Sequence, residues 1–282
     1  MSIYKDIAQR TGGDIYIGVV GPVRTGKSTF IKKFMETLVI PNIENDYDRK
    51  RAQDEMPQSA AGRTVMTTEP KFIPDDAVKI TLDGVGTLSV KMIDCVGYMV
   101  EDALGNFENG QPRMVNTPWS EESVPFEKAA ETGTRKVITD HSTIGFLVTS
   151  DGSFGELSRE GYAEAEERIA KDISSIGKPY AIILNSSKPN ARESVDLALS
   201  LEEKYGAPVA LVNCLELDRS DIENIMGLVL LQFPVTEIEV RLPDYMNALD
   251  ASHPMRREVY DAAMDCARNV RKTGDKIGRA HV

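Results

Sequence analysis

Eight consecutive residues, Gly21-Pro22-Val23-Arg24-Thr25-Gly26-Lys27-Ser28, satisfy the pattern G-x-x-x-x-G-K-[ST] at every fixed position. Gly21 and Gly26 let the backbone curl so that successive N–H groups point inward at phosphate oxygens. Lys27 adds a point charge for the β- and γ-phosphates, and the Ser28 hydroxyl is a magnesium ligand. Arg24 and Thr25 line the same loop. The helix expected from Thr29 onward turns its positive N-terminus to the same anion. The chemistry implied is binding of a nucleoside triphosphate with Mg2+.

A second run, Val90-Lys91-Met92-Ile93-Asp94-Cys95-Val96-Gly97, reads as an apolar strand that ends in a carboxylate. At the C-terminal edge of a sheet, beside a phosphate loop, Asp94 can hold magnesium through water. Asp-x-x-Gly there is also the γ-phosphate sensor of the GTPase-related class, with the Gly97 amide free to bond the terminal phosphate. Between the two runs, the stretch GRTVMTTEP offers Thr64, Thr67 and Thr68 as switch residues that order a loop only in the triphosphate state. Thr67 and Thr68 are the better placed, because they precede Glu69-Pro70 and the next strand. Thr68 joins Ser28 and Asp94 as a candidate magnesium ligand.

Two absences bear on the nucleotide. A guanine-reading chain carries N-K-x-D after the strand over 180–184, and this one has Asn185-Ser186-Ser187-Lys188-Pro189. Without that aspartate guanine loses its main selective contact, so ATP is the expected nucleotide, with Asn185 and Lys188 as candidate contacts. Tyr98 also stands where many small GTPases carry a water-orienting glutamine. Either another group positions the water or hydrolysis is slow until a partner helps. His141, beside Asp140, is a weaker candidate for a base, since phosphoryl transfer needs positioning and charge more than proton abstraction. Arg24 and Arg63 are candidates for additional transition-state charge.

The elements that must position these residues alternate β and α over most of the chain, which predicts an α/β three-layer sandwich with a mixed, mostly parallel sheet. Residues 14–21 read as a buried strand, and 27–39 as a helix stopped by Pro41. The polar stretch 41–62 reads as a mobile insertion. Residues 78–82 and 88–94 form a hairpin pair around Asp83-Gly84-Val85-Gly86. The stretch 97–122 reads as one long loop. A helix over 126–138, a strand over 142–149, a helix over 158–176 and a strand over 180–185 come next. A helix over 191–205, a strand over 209–212 and a helix over 218–233 complete the first domain. Residues 1–234 are therefore expected to form the nucleotide domain. Residues 235–242 alternate as a half-exposed strand, and from Asp244 a long helix places Val259, Tyr260, Ala263, Met264, Ala267 and Val270 on one face. These are expected to begin a second, α+β domain over 235–282.

The 282 residues carry a formal net charge of −11, which argues against a broad nucleic-acid-binding face. No apolar run approaches the roughly 18 residues of a membrane span. Cys95, Cys214 and Cys266 form no C-x-x-C pair and fit small buried hydrophobes in a reducing cytosol.

The runs DIYIGVVGPVRTGKSTFIKKFME, TTEPKF, MIDCVGY and ILNSSKP together closely resemble the stage IV sporulation protein A family. The resemblance implies a bacterial ATPase related by fold to translation-factor-type GTPases. It assigns Lys27 and Ser28 to the phosphate loop, Asp94 to magnesium, and Thr67 and Thr68 to the sensor. It further implies a static homopolymer, the basement layer of the spore coat, on the cytoplasmic, mother-cell side of the forespore outer membrane. Contacts with coat proteins and a small membrane-bound peptide would lie in regions largely beyond residue 282. Three mechanisms are open at this point: a Mg-ATPase that drives self-assembly, an ATP-gated scaffold with negligible turnover, and a regulatory GTPase with an unusual base pocket.

Overall fold

Strand β1 (Asp14–Val20) feeds the loop at Gly21, and the loop feeds helix α1 (Lys27–Phe34). The computed structural model describes residues 13–57, 70–82, 86–100, 107–108, 111–154 and 157–275. In α1, Phe30, Ile31 and Phe34 are buried on one stripe. The helical run continues past Phe34 as a π-turn, Met35–Val39, and a 3-10 turn, Ile40–Asn42. Pro41, with no N–H to give, closes it.

The polar stretch after it is not the bare insertion expected from its composition. It folds as helix α2 (Asp46–Asp54) because Asn45 caps it: the side-chain oxygen accepts from the amides of Tyr47 (2.8 Å) and Asp48 (3.4 Å). Asp46 and Asp48 in the first turn suit the positive end of the helix.

Strands β2 (Lys71–Leu82) and β3 (Gly86–Asp94) pair antiparallel from Lys71 opposite Asp94 to Leu82 opposite Gly86. This is the expected hairpin, with β2 starting earlier than residue 78. The stretch expected as one long loop also contains structure. Strands β4 (Phe107–Glu108) and β5 (Gln111–Pro112) form one small hairpin, and β6 (Met114–Thr117) and β7 (Ser120–Pro125) form another. Prolines disguise these strands in the sequence. Pro112 and Pro125 end strands and Pro118 sits in a turn, positions where a missing N–H breaks no interior ladder.

Helix α3 (Phe126–Lys136), strand β8 (Ile144–Ser150), helix α4 (Arg159–Ile176), strand β9 (Tyr180–Asn185), helix α5 (Arg192–Tyr205), strand β10 (Val209–Val212) and helix α6 (Arg219–Leu230) then alternate as the pattern requires. The six-stranded sheet runs β10-β9-β8-β1-β3-β2, and every pairing is parallel except β2 with β3. Every residue of β8 and β9 is buried, as expected of central parallel strands covered on both faces. One face of the sheet packs Ile15, Ile17 and Val19 against Phe30 and Phe34 of α1 and Ile222, Ile225 and Met226 of α6. The other packs Val20, Ile93 and Leu147 against Phe126 of α3 and Tyr162, Ile169 and Ile173 of α4. The result is the three-layer α/β sandwich.

After α6 the sequence expectation is corrected. Residues 235–242 alternate but form no strand, since no ladder among the described residues runs along them. The expected long helix is broken into α7 (Asp244–Ala248) and α8 (Pro254–Asn269). Asp250 makes the break. Its Oδ1 accepts from the amide (2.8 Å) and hydroxyl (2.5 Å) of Ser252, an Asx turn, and Pro254 then opens α8. No residue of α8 is buried, and Met264 on the expected apolar stripe is 54% exposed. Past α8 the chain returns to the end of α6. Thr273 N–H bonds the Phe233 carbonyl, Gly274 N–H the Leu231 carbonyl and Val235 N–H the Arg271 carbonyl, each at 2.9 Å. The excursion over 235–270 is thus closed at its base. No helix among the described residues is long and apolar enough to cross a membrane.

Candidate functional site

The phosphate loop leaves the C-terminal edge of β1, the strand flanked by β3 and β8. Gly21 has φ 153°, and a Cβ there would lie 2.1 Å from the Val148 carbonyl oxygen on β8. Gly97 has φ 90°, and a Cβ there would lie 2.1 Å from the Gly21 oxygen and 2.5 Å from Lys27 Nζ. The Asp94–Gly97 turn therefore rests directly on the loop, and only glycine permits the approach. Backbone bonds stitch the two together: Tyr98 N–H to the Gly21 carbonyl (3.2 Å) and Val23 N–H to the Tyr98 carbonyl (2.9 Å).

Lys27 is buried, and its ammonium donates to the carbonyls of Gly21 (3.2 Å) and Pro22 (2.7 Å). Burial holds it below the ordinary lysine value, with Cys95 and Asp94 pulling the other way. The buried Thr25 hydroxyl donates to the Pro22 carbonyl at 2.9 Å and closes the loop from inside. Arg24 sits exposed at the tip with φ 65°. Ser28 and Thr29 are half-buried in the first turn of α1, which holds no acidic residue. The field of the helix N-terminus is therefore left for an anion.

Asp94 ends β3, level with Val19 of β1. Its Oδ1 is buried with no hydrogen-bond partner, and Ser28 lies near enough to favour the ionised carboxylate. Burial raises the carboxyl to about 6, opposed by Lys27, the Cys95 amide, Lys71 and Ser28. Leaving such an oxygen unpaired costs about 1–3 kcal/mol. A hard cation would satisfy it, and a carboxylate beside a hydroxyl suits Mg2+, which keeps several waters and substrate phosphates in its shell. Thr64, Thr67 and Thr68, with Arg63, lie outside the described residues.

On the other side of the loop, Asn185 Nδ2 donates to the Thr25 carbonyl (3.1 Å) and Asn185 Oδ1 accepts from Cys214 N–H (3.0 Å). Beyond it the backbone is held by serines. Lys188 N–H bonds Ser186 Oγ (3.0 Å), Ser187 N–H bonds Ser153 Oγ (2.8 Å), and Ser186 and Ser194 share a hydrogen bond (3.2 Å). Asp151 anchors this cluster, accepting from the amide (2.9 Å) and hydroxyl (2.5 Å) of Ser153 and from Ser194 Oγ (3.2 Å). Burial alone would raise the Asp151 carboxyl, but the bonds from Ser153, Ser186 and Ser194 hold it below the usual range. Lys188 itself is exposed.

Sequence reading misses Asp151, Ser153 and Ser194. The signal is present in Thr149-Ser150-Asp151-Gly152-Ser153, a polar run ending a fully buried strand at the edge where the loop sits. That turn is also braced from inside. Arg159 reaches the Ser150 carbonyl (3.3 Å) while pairing in two bonds with Glu166 (2.6 and 2.7 Å), which is fully buried. Thr149 Oγ1 (2.5 Å) and the Tyr205 hydroxyl (2.8 Å) supply the carboxylate's remaining partners.

Tyr98 turns away from the loop. Its ring is buried and its hydroxyl donates to Asp172 of α4, which also takes Arg135 of α3 at 2.9 Å. The Arg168 guanidinium lies over the ring, 5.4 Å from its centroid. His141 is exposed, in the turn before β8, and meets the Phe72 ring edge-on at 5.5 Å.

Residues 1–234 match the family described as stage IV sporulation protein A, ATPase domain. The chain is 50% identical over 275 residues to stage IV sporulation protein A of Bacillus anthracis. It is 50% identical over 277 residues to that of Clostridioides difficile and 47% identical over 275 residues to that of Bacillus subtilis. Each match covers 98% of this chain and 56% of the relative, so the chain spans about half the length of the curated relatives it matches.

Proposed function

The chain belongs to the stage IV sporulation protein A family and carries its ATPase domain, and on that premise we propose that it hydrolyses ATP with Mg2+ and uses the reaction to reach a state competent for self-assembly. The observation that carries the reading is the buried, unpartnered Oδ1 of Asp94, on a carboxylate beside Ser28 at the foot of the phosphate loop. Ser28 and Asp94 would hold the magnesium ion, which neutralises charge on the β- and γ-phosphate oxygens. Lys27, now turned onto the carbonyls of Gly21 and Pro22, swings its ammonium to the incoming anion, and the amides of the loop and of α1 close round it. Because the Asp94–Gly97 turn is stitched to the loop through Tyr98, movement at the phosphates is felt along the segment after β3. Thr67 and Thr68 complete the switch in this reading.

The family resemblance supports the wider role: a homopolymer forming the basement layer of the spore coat, peripheral to the forespore outer membrane on the mother-cell side. Coat proteins and a small membrane-bound peptide would then be partners of the longer relatives' remaining length.

One observation favours a second reading, an ATP-gated scaffold that barely turns over. The Tyr98 side chain is committed to Asp172, so at the position that orients water in many related enzymes no side chain faces the loop. Phosphate release from ATP and from GTP, with and without magnesium, separates the readings when run on this chain and on Lys27→Ala. Multiple turnovers on ATP, lost in the variant, support the ATPase. Tight ATP binding without turnover supports the scaffold. Preference for GTP overturns both.

A further inference from the structure

The loop after β9 keeps the asparagine of the guanine-reading pattern and inverts the charge three residues later, where Lys188 stands in place of aspartate. Asn185 is anchored between the Thr25 carbonyl and the Cys214 amide, so the strand end is fixed against the phosphate loop and sets the register of the base loop. At Lys188 the backbone is pinned on both sides. Its N–H is held by Ser186 Oγ (3.0 Å) and its carbonyl by the Ala191 N–H (2.9 Å). From that fixed point the side chain is exposed, and no hydrogen bond or ion pair engages its ammonium among the described residues. The carboxylate in this cluster, Asp151, is taken up by Ser153 and Ser194.

Purines differ at the edge such a group would meet. Guanine presents donors at N1–H and its 2-amino group, which a carboxylate accepts. Adenine presents an acceptor at N1. A lysine ammonium has three donors and no acceptor. Set against guanine it leaves donor facing donor, and set against adenine it finds N1. Discrimination by leaving polar groups unpaired is the strong kind.

We propose that Lys188 is the specificity-determining residue of the base site, selecting adenine by donating a hydrogen bond to the purine N1 position and rejecting guanine, whose N1 carries a proton. The inference rests on the ATPase reading and adds to it the residue and the atom that carry the choice.

The test is binding, read by displacement of a fluorescent ATP analogue with ATP, GTP and 1-deaza-ATP, which lacks the N1 acceptor. Unaltered protein is expected to bind 1-deaza-ATP about tenfold more weakly than ATP, the size of one charge-assisted hydrogen bond. Lys188→Ala should erase that penalty and narrow the gap between ATP and GTP, and Lys188→Arg should keep both. Lys188→Asp, which restores the acceptor, should shift preference toward GTP. Lys188→Ala with an unchanged 1-deaza penalty overturns the inference, as does equal weakening of all three nucleotides, which would place the ammonium on phosphate rather than base. If unaltered protein still releases phosphate from ATP in either case, the ATPase reading stands and only the role of Lys188 falls. Failure of unaltered protein to bind any of the three removes both.

Discussion

Asn185 Nδ2 lies 3.1 Å from the carbonyl oxygen of Thr25, across 160 residues of sequence, while its Oδ1 takes the Cys214 amide at 3.0 Å. One buried amide side chain thereby joins three loops at the C-terminal edge of the sheet: the phosphate loop, the base loop and the turn after β10. Neither a carboxylate nor a hydroxyl can do this, because the position needs one donor and one acceptor on separate atoms at fixed separation.

Asn185→Ala therefore leaves two buried backbone groups unpaired. Loss of about 1–3 kcal/mol is expected, with weaker nucleotide binding. Asn185→Asp keeps the acceptor for Cys214 but sets oxygen against oxygen at Thr25, so it should be no better than alanine in nucleotide affinity. Thermal unfolding and ATP displacement check both. Aspartate restoring affinity would mean that the Thr25 bond does not organise the loop.

Gly97→Ala tests the contact between the Asp94–Gly97 turn and the loop. The added methyl would lie 2.1 Å from the Gly21 oxygen and 2.5 Å from Lys27 Nζ, at a φ of 90° that an L-residue resists. Part of that is backbone and cannot yield by rotating a side chain. The turn must lift, at a cost on the order of 1–3 kcal/mol, and ATP turnover should fall by at least tenfold. Unchanged turnover would show that the turn does not seat the terminal phosphate.

Asp94→Asn separates stability from function. In the folded protein the Asp94 carboxyl is raised to about 6, mainly by burial. A group whose folded value lies above its unfolded one favours the fold while protonated. Its contribution is therefore full below about pH 4, the unfolded value, and is lost as pH rises through about 6. At neutral pH the neutral amide removes that cost, so Asp94→Asn should be as stable as unaltered protein or more so. Its melting temperature should also vary less between about pH 4 and 6. Magnesium-dependent phosphate release should be lost. A variant less stable at neutral pH would mean that Lys27 and Ser28 compensate the charge fully.

The sheet is legible in the sequence because its central strands are apolar on both faces and bounded by glycine or polar residues. Tyr180–Asn185 and Val209–Val212 fall where their patterns put them. The phosphate loop is legible because its backbone geometry demands glycine at fixed spacing. What escapes is structure made by single side chains. The Asn45 cap turns a charged stretch into α2, and the Asp250 turn divides the expected long helix into α7 and α8, with the apolar stripe wholly after the break. Periodicity sees neither, since a cap and a break each depend on one side chain. Asp151 escapes for a different reason. Its role comes from Ser153 in its own turn and from Ser194 in the first turn of α5, which the fold brings to it from 43 residues away.

Tyr98 decides between enzyme and scaffold. Its backbone ties the Asp94–Gly97 turn to Gly21 and Val23, while its side chain is held by Asp172 and Arg168 on α4. Tyr98→Phe removes only the hydroxyl, so stability should fall by about 1 kcal/mol while turnover per bound ATP stays within twofold of the unaltered protein. Tyr98→Gln installs the residue that orients water in many small GTPases, but the amide inherits a pocket built for a ring between α3 and α4. It should cost more in stability, about 2–4 kcal/mol by comparison with other large-to-small core changes, and give no gain in rate. Phosphate release measured alongside thermal unfolding distinguishes the cases. Faster release in Tyr98→Gln would mean that this position swings toward the phosphates during the cycle, and the water would then be handled as in the related GTPases. Without that gain, the group that orients water lies elsewhere, and Thr67 and Thr68 are the next residues to substitute.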